Sequence, residues 1–169
     1  FIEQHKNEIV AIGEVGMDFK HLKEYENKQR ENFQKIIDLA EKIKKPIIVH
    51  SRSAEEAVIE MLECSKLKNV VMHCFSGKKQ LVRRGADNGW TFTIPSVVKR
   101  LNHFEMVIKL VNINQLLTEP DAPWRTPELG RYSEPKDVIE SVRKIAEIKK
   151  FDVEETANSI FMNYQRMFL

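Results

Sequence analysis

Pro46-Ile47-Ile48-Val49-His50-Ser51-Arg52 is the stretch on which the fold turns. Three β-branched residues in a row, with no polar residue alternating between them, read as a strand covered on both faces. The run starts after a proline and ends on a histidine. The same grammar recurs on either side of it. Ile9-Val10-Ala11-Ile12 ends at Gly13 and is followed by Glu14; Val70-Val71-Met72 ends at His73. Trp90 to Ile94 is a further strand, stopped by Pro95, and Leu116-Leu117 centres a short fifth one that runs into Glu119-Pro120-Asp121.

Between these runs the apolar period changes from strand to helix. From Glu24 to Lys44, Phe33, Ile36, Ile37, Ala40 and Ile43 recur at helical spacing among Lys, Glu and Gln. Ser53-Ala54-Glu55-Glu56 has the form of a capping box, with Ala54, Ala57, Val58, Met61 and Leu62 as the stripe behind it. Leu81, Val82 and Ala86 mark a helix after the third strand, and Val97, Leu101, Phe104 and Ile108 share one helical face after the fourth. Pro120 to Pro135 has no period and reads as a long loop. Two helices close the chain. Pro135 suits the first turn of one, ahead of Val138, Ile139, Val142, Ile145 and Ala146. Asp152-Val153-Glu154-Glu155 starts the other, ahead of Ala157, Ile160, Phe161 and Tyr164.

Five alternations of apolar strand and amphipathic helix predict a parallel sheet in an α/β fold. Doubly wound sheets and (β/α) barrels share that alternation, so the polar residues decide. Glu14, His50, His73 and Asp121 fall at the carboxyl ends of four different strands. In a barrel those ends converge on one face, where the active site lies. In an open sheet only neighbours at the switch point meet. Convergence favours the (β/α) barrel.

One histidine at a strand end is more often structural, and one carboxylate there is more often a cap or turn former. Four such accidents at the same end are far less probable together. Neutral imidazoles with carboxylates suit zinc, manganese or magnesium, and a shared carboxylate can bridge two ions. His5, His21 and His103 lack this placement and read as surface residues.

At 169 residues the chain is long enough for one domain with a real core, and the reading is a single domain over 1–169. A net charge of +2 excludes a broad nucleic-acid-coating surface, so any such binding is local to a cleft. Cys64 and Cys74 make no disulfide framework and read as reduced, buried thiols of a cytoplasmic protein. No apolar run approaches membrane-spanning length, and no signal-peptide core follows Phe1 to Lys6. The opening Phe1-Ile2-Glu3, without an initiator methionine, leads to the expectation of a preceding segment.

Four ordered motifs resemble those of the TatD family of metal-dependent deoxyribonucleases. Ala11-Ile12-Gly13-Glu14-Val15-Gly16-Met17-Asp18-Phe19 is similar to the signature around that family's metal-bridging glutamate. Pro46 to Arg52 and His73-Cys74-Phe75-Ser76-Gly77 resemble two motifs that each carry a ligand histidine, and Leu117-Thr118-Glu119-Pro120-Asp121-Ala122-Pro123 resembles the one ending in the catalytic aspartate. Gly130 to Pro135 and Asn163 agree with the family's tail. Pro120 stands where the family usually has Thr, and the family's opening His-x-His strand is absent.

By this resemblance the strands are the last five of a TIM-type (β/α)8 barrel, truncated at its N-terminus, and two divalent ions serve the complete site. Glu14, His50 and His73 form one ligand set; Asp121 shares the other with Glu14 and the absent histidines. Asp121 and Glu14 are the catalytic candidates. The implied reaction is hydrolysis of DNA phosphodiester bonds, single-stranded or at strand ends, by a water that Asp121 helps to deprotonate. Arg52, Arg125 and Arg131 are candidates for phosphate contact, and Trp124 for stacking on a base, although a core role for Trp124 fits equally well. Glu119 reads as a partner that orients Asp121 or a ligand. The alternatives are a related barrel hydrolase of C–N or ester bonds and a catalytically silent binding remnant. Missing strands would expose Ile47, Val49 and Val71 and leave two barrel edges open to self-association.

Overall fold

The computed structural model describes residues 1–169. Its centre is one five-stranded sheet, β1 (Ile12–Asp18), β2 (Ile47–Arg52), β3 (Val70–Met72), β4 (Thr91–Pro95) and β5 (Leu116–Glu119). The strands lie side by side in chain order, and every neighbouring pair is parallel. That order settles the question left open by periodicity. A doubly wound sheet reverses direction at a switch point, whereas stepping always one way is how a (β/α) barrel grows. Five helices follow the strands in turn, α1 (Glu26–Ile43), α2 (Glu55–Glu63), α3 (Lys79–Asp87), α4 (Asn102–Leu110) and α5 (Val138–Lys149), and α6 (Val153–Phe168) ends the chain.

Side chains alternate across a strand, so each strand has an outward and an inward set. In β2, Ile47 and Val49 are fully buried, on the face opposite to half-buried Ile48 and His50. Register carries the inward face across the sheet from Ile48 to Val71 and from Val71 to Thr91, and two residues further along β4 from Thr93 to Leu117. The expectation that Ile47, Val49 and Val71 meet solvent is therefore wrong. Ile47 and Val49 point the other way, and Val71, although inward, is only 1% exposed. The inward face instead opens through a groove of about 480 Å3 that Ile48, Val71 and Leu117 share with Tyr164 and Phe168 of α6.

Several elements differ from the sequence reading for physical reasons. The first strand does not occupy Ile9 to Ala11. It runs from Ile12 to Asp18, through Gly13, which looked like its end, and Gly16. A Cβ on Gly16, whose φ is 137°, would lie 2.0 Å from the His50 carbonyl oxygen, and one on Gly13 would lie 2.7 Å from the Ile48 Cβ. These glycines mark close approach of two backbones. Ser53 has φ 56° and caps nothing, so the box expected at α2 does not form. Val97 belongs to a separate 3-10 turn, Ser96–Lys99, and Leu101 is 39% exposed, so the four-residue face expected there is split. On α6 the Asp152/Glu155 box does form, but Phe161 and Tyr164 stay exposed while Ile160 and Asn163 are buried. Asn163 donates to the carbonyls of Ile113 and Leu116, which ties α6 to the start of β5. Cys64 is exposed, against expectation, and Cys74 buried; both are free thiols.

Candidate metal centre

The inward parity of each strand, continued to its carboxyl end, delivers the polar residues to one place. Ile48 leads to His50, Val71 to His73, Thr93 follows Thr91, and Leu117 leads to Glu119. Glu14, inside β1, and Asp121, just beyond β5, complete the ring. Glu14, His50 and His73 each offer a ligand atom, and these atoms lie within 4.8 Å of one another. Asp121 Oδ1 is 3.8 Å, and Glu14 Oε2 3.5 Å, from His73 Nε2. All four line one cavity of about 660 Å3.

His73 is held from behind. Its Nδ1 lies 2.5 Å from Glu119 Oε2, and the other Glu119 oxygen accepts from the Cys74 N–H at 2.9 Å and the Thr93 hydroxyl at 2.6 Å. A proton on Nδ1 leaves the Nε2 lone pair facing Glu14 and Asp121, the arrangement by which carboxylates orient metal-ligating histidines. Burial pushes the His73 pKa down, but the bond to Glu119 and the charges of Glu119, Glu14 and Asp121 outweigh it, and the net shift is upward. Three carboxylates around one ring are an electrostatic setting for a cation. The donors fit a divalent ion: neutral imidazole and carboxylate oxygen at converging positions.

Other residues shape the same space. Asp18 Oδ2 lies 3.5 Å from His50 Nε2, while Asp18 Oδ1 accepts from the Lys20 and His21 N–H groups. Arg125 Nε is 3.4 Å from Asp121 Oδ2. Burial pushes the Cys74 thiol, which also lines the cavity, well up. Arg52, Arg125 and Trp124 all line the cavity, and Trp124 is 75% exposed, which removes the core role considered for it. Arg131 does not belong with them. Its guanidinium forks onto Asp137 at 2.8 Å, bonds Glu128 and caps the Tyr132 carbonyl. It locks the loop and does not line the cavity. Glu119 turns out to hold His73 and not Asp121. Sequence reasoning missed Asp18 and Thr93; the one available signal was a polar residue at an inward strand position.

The fold and this ring of residues define a metallohydrolase-type barrel face. The match to known proteins is correspondingly direct. The family model described as "TatD related DNase" matches residues 2–169, and the chain belongs to that family. A metal-dependent hydrolase of Methanocaldococcus jannaschii is 34% identical over 167 residues, covering 99% of this chain and 66% of that protein. The human deoxyribonuclease TATDN3 is 31% identical over 171 residues, 99% of this chain and 62% of its own length. The crystal structure of the Escherichia coli TatD homologue YjjV superposes with a TM-score of 0.90 at 24% identity, over 99% of this chain and 66% of that one, which supports the fold. This chain thus spans less than two thirds of the human protein's length. No helix is long and apolar enough to cross a membrane.

Proposed function

We propose that this chain carries the metal-binding face of a divalent-metal-dependent hydrolase of DNA phosphodiester bonds. The observation that supports it most is the convergence of Glu14, His50 and His73 within 4.8 Å, with Asp121 beside them. A divalent cation held there would supply Lewis-acid polarisation of a phosphoryl oxygen and a lowered pKa for water. Asp121 sits at the cavity edge with one carboxylate oxygen toward the cluster and the other toward Arg125, placed to take a proton from the attacking water.

Glu14, half exposed on the cavity side, is the carboxylate that can serve two ions at once. Arg52 offers a fork to a phosphate and Trp124 an exposed ring to an unstacked base, which favours single-stranded DNA or strand ends. Zinc, manganese and magnesium all suit the donors, and the reading places the protein in the cytoplasm as a single domain. The unpaired outer edges of β1 and β5 make self-association part of the same reading.

Asp121→Asn tests the proposal. The amide keeps the shape and loses both base and charge, so hydrolysis of a single-stranded oligodeoxynucleotide should fall by roughly a hundredfold or more. Retained activity in a folded variant would show that Asp121 is not the base.

A further inference from the structure

Asp121 is held in a conformation that a residue with a side chain does not adopt freely. Its φ is 49°, in the left-handed region, and it sits in a loop without regular structure from Pro120 to Glu134. Such a backbone persists only where its surroundings over-determine it. Here the surroundings are two buried serines. Ser96, immediately after β4, is 0% exposed, and Ser133, from the far end of the loop, is 4% exposed. The Ser133 hydroxyl donates to the Pro120 carbonyl at 2.9 Å, immediately before Asp121. The Ser96 hydroxyl donates to the Arg125 carbonyl at 2.8 Å, four residues after it. Between these pins the Asp121 carbonyl accepts from the Trp124 and Arg125 N–H groups, and the Ser133 N–H donates to the Pro123 carbonyl at 3.0 Å.

The donors are fully committed. Two hydroxyls carry two protons, and two carbonyls take them. The two oxygens are 3.3 Å apart, and Ser96 Oγ also lies 3.5 Å from the Pro120 carbonyl. If either hydroxyl is removed, the other can serve only one end of the segment, and a part-buried carbonyl at the other end loses its partner.

We propose that Ser96 and Ser133 are positioning residues: together they clamp Pro120–Arg125 so that the Asp121 carboxylate stays beside His73 and Arg125. The proposal rests on the reading of Asp121 as a site residue. Its test has one arm that needs neither metal nor substrate. Amide hydrogen exchange is measured on the full chain carrying Ser133→Ala or Ser96→Ala. As a control, Ser141→Ala removes a buried hydroxyl that has no hydrogen-bond partner. Either clamp variant should speed exchange at Trp124 and Arg125 by roughly ten- to hundredfold, the range expected for the loss of one such hydrogen bond, and leave β2 and β3 protected. The control should leave the loop unchanged.

The second arm is a double-mutant cycle on manganese affinity. Ser133→Ala should weaken manganese binding, and should weaken it no further once Asp121→Asn is present. Loop exchange at the wild-type rate, exchange raised throughout the chain, or equal losses in both backgrounds would each overturn the clamp. If the wild-type chain binds no manganese, the metal-centre reading fails, and the exchange result alone decides the clamp.

Discussion

Glu119 reaches the site only through another residue, yet it fixes one of the ligands. One of its oxygens takes the His73 Nδ1 proton and the other is anchored by Thr93 and the Cys74 backbone. Replacing it with glutamine keeps the size and the anchoring, but removes the charge that holds the ring proton on Nδ1. Glu119→Gln should therefore weaken zinc binding by about ten- to a hundredfold without unfolding the chain, as measured by calorimetry beside a thermal melt. Unchanged affinity would mean that His73 needs no orienting partner. The contrast with His50 and His73 shows what a sequence discloses at this scale. Each histidine ends an apolar run and so announces itself. Which residue Glu119 orients, and the roles of Thr93 and Asp18, depend on which strand lies alongside, and strand neighbours are invisible in a linear reading. The pairing of Arg131 with Asp137, six residues on, is likewise disclosed only by the folded loop.

Among the elements, the loop between β5 and α5 is closed at its far end by that Arg131–Asp137 pair. The forked bond from Arg131, with the Glu134 N–H, holds the Asp137 carboxyl at about 2 against an ordinary 3.8. A carboxyl whose folded pKa lies below its unfolded one contributes stability that is complete above the ordinary value. That contribution drains away as the pH falls from 3.8 toward about 2. The thermal midpoint of Asp137→Asn should thus lie below that of the wild type near neutrality, with the gap narrowing through this acidic window. A gap that stays constant to the bottom of the window would rule out the pair as its source. Helix positions were legible from their apolar stripes, as Phe33, Ile37 and Ala40 in α1 show. The extent of β1 was not, because Gly13 and Gly16 carry no side chain to display a period. What they provide is proximity to β2, which only the folded sheet reveals.

For the whole molecule, the parallel order of five strands was foreseen from alternation, and its one-way progression from the convergence of Glu14, His50, His73 and Asp121. The burial of Ile47 and Val49 was misjudged because alternation fixes which residues share a face, but not which face the helices cover. What stays open is the outer edge of β1, the outer edge of β5, and the groove that Tyr164 and Phe168 share with the inward sheet face. Unpaired parallel edges beside an apolar groove favour association. Sedimentation of the chain at micromolar concentration should show species larger than the 19.8 kDa monomer, and a purely monomeric boundary would contradict that. The central claim, that three strands deliver Glu14, His50 and His73 to one cation, has a more direct measurement. Metal analysis of the mildly purified chain should find a divalent ion at one or more equivalents, and the folded double variant His50→Ala/His73→Ala should have lost it, since two of three ligands are gone. A correctly folded wild-type chain that holds no ion, or a double variant that keeps it, would contradict the claim.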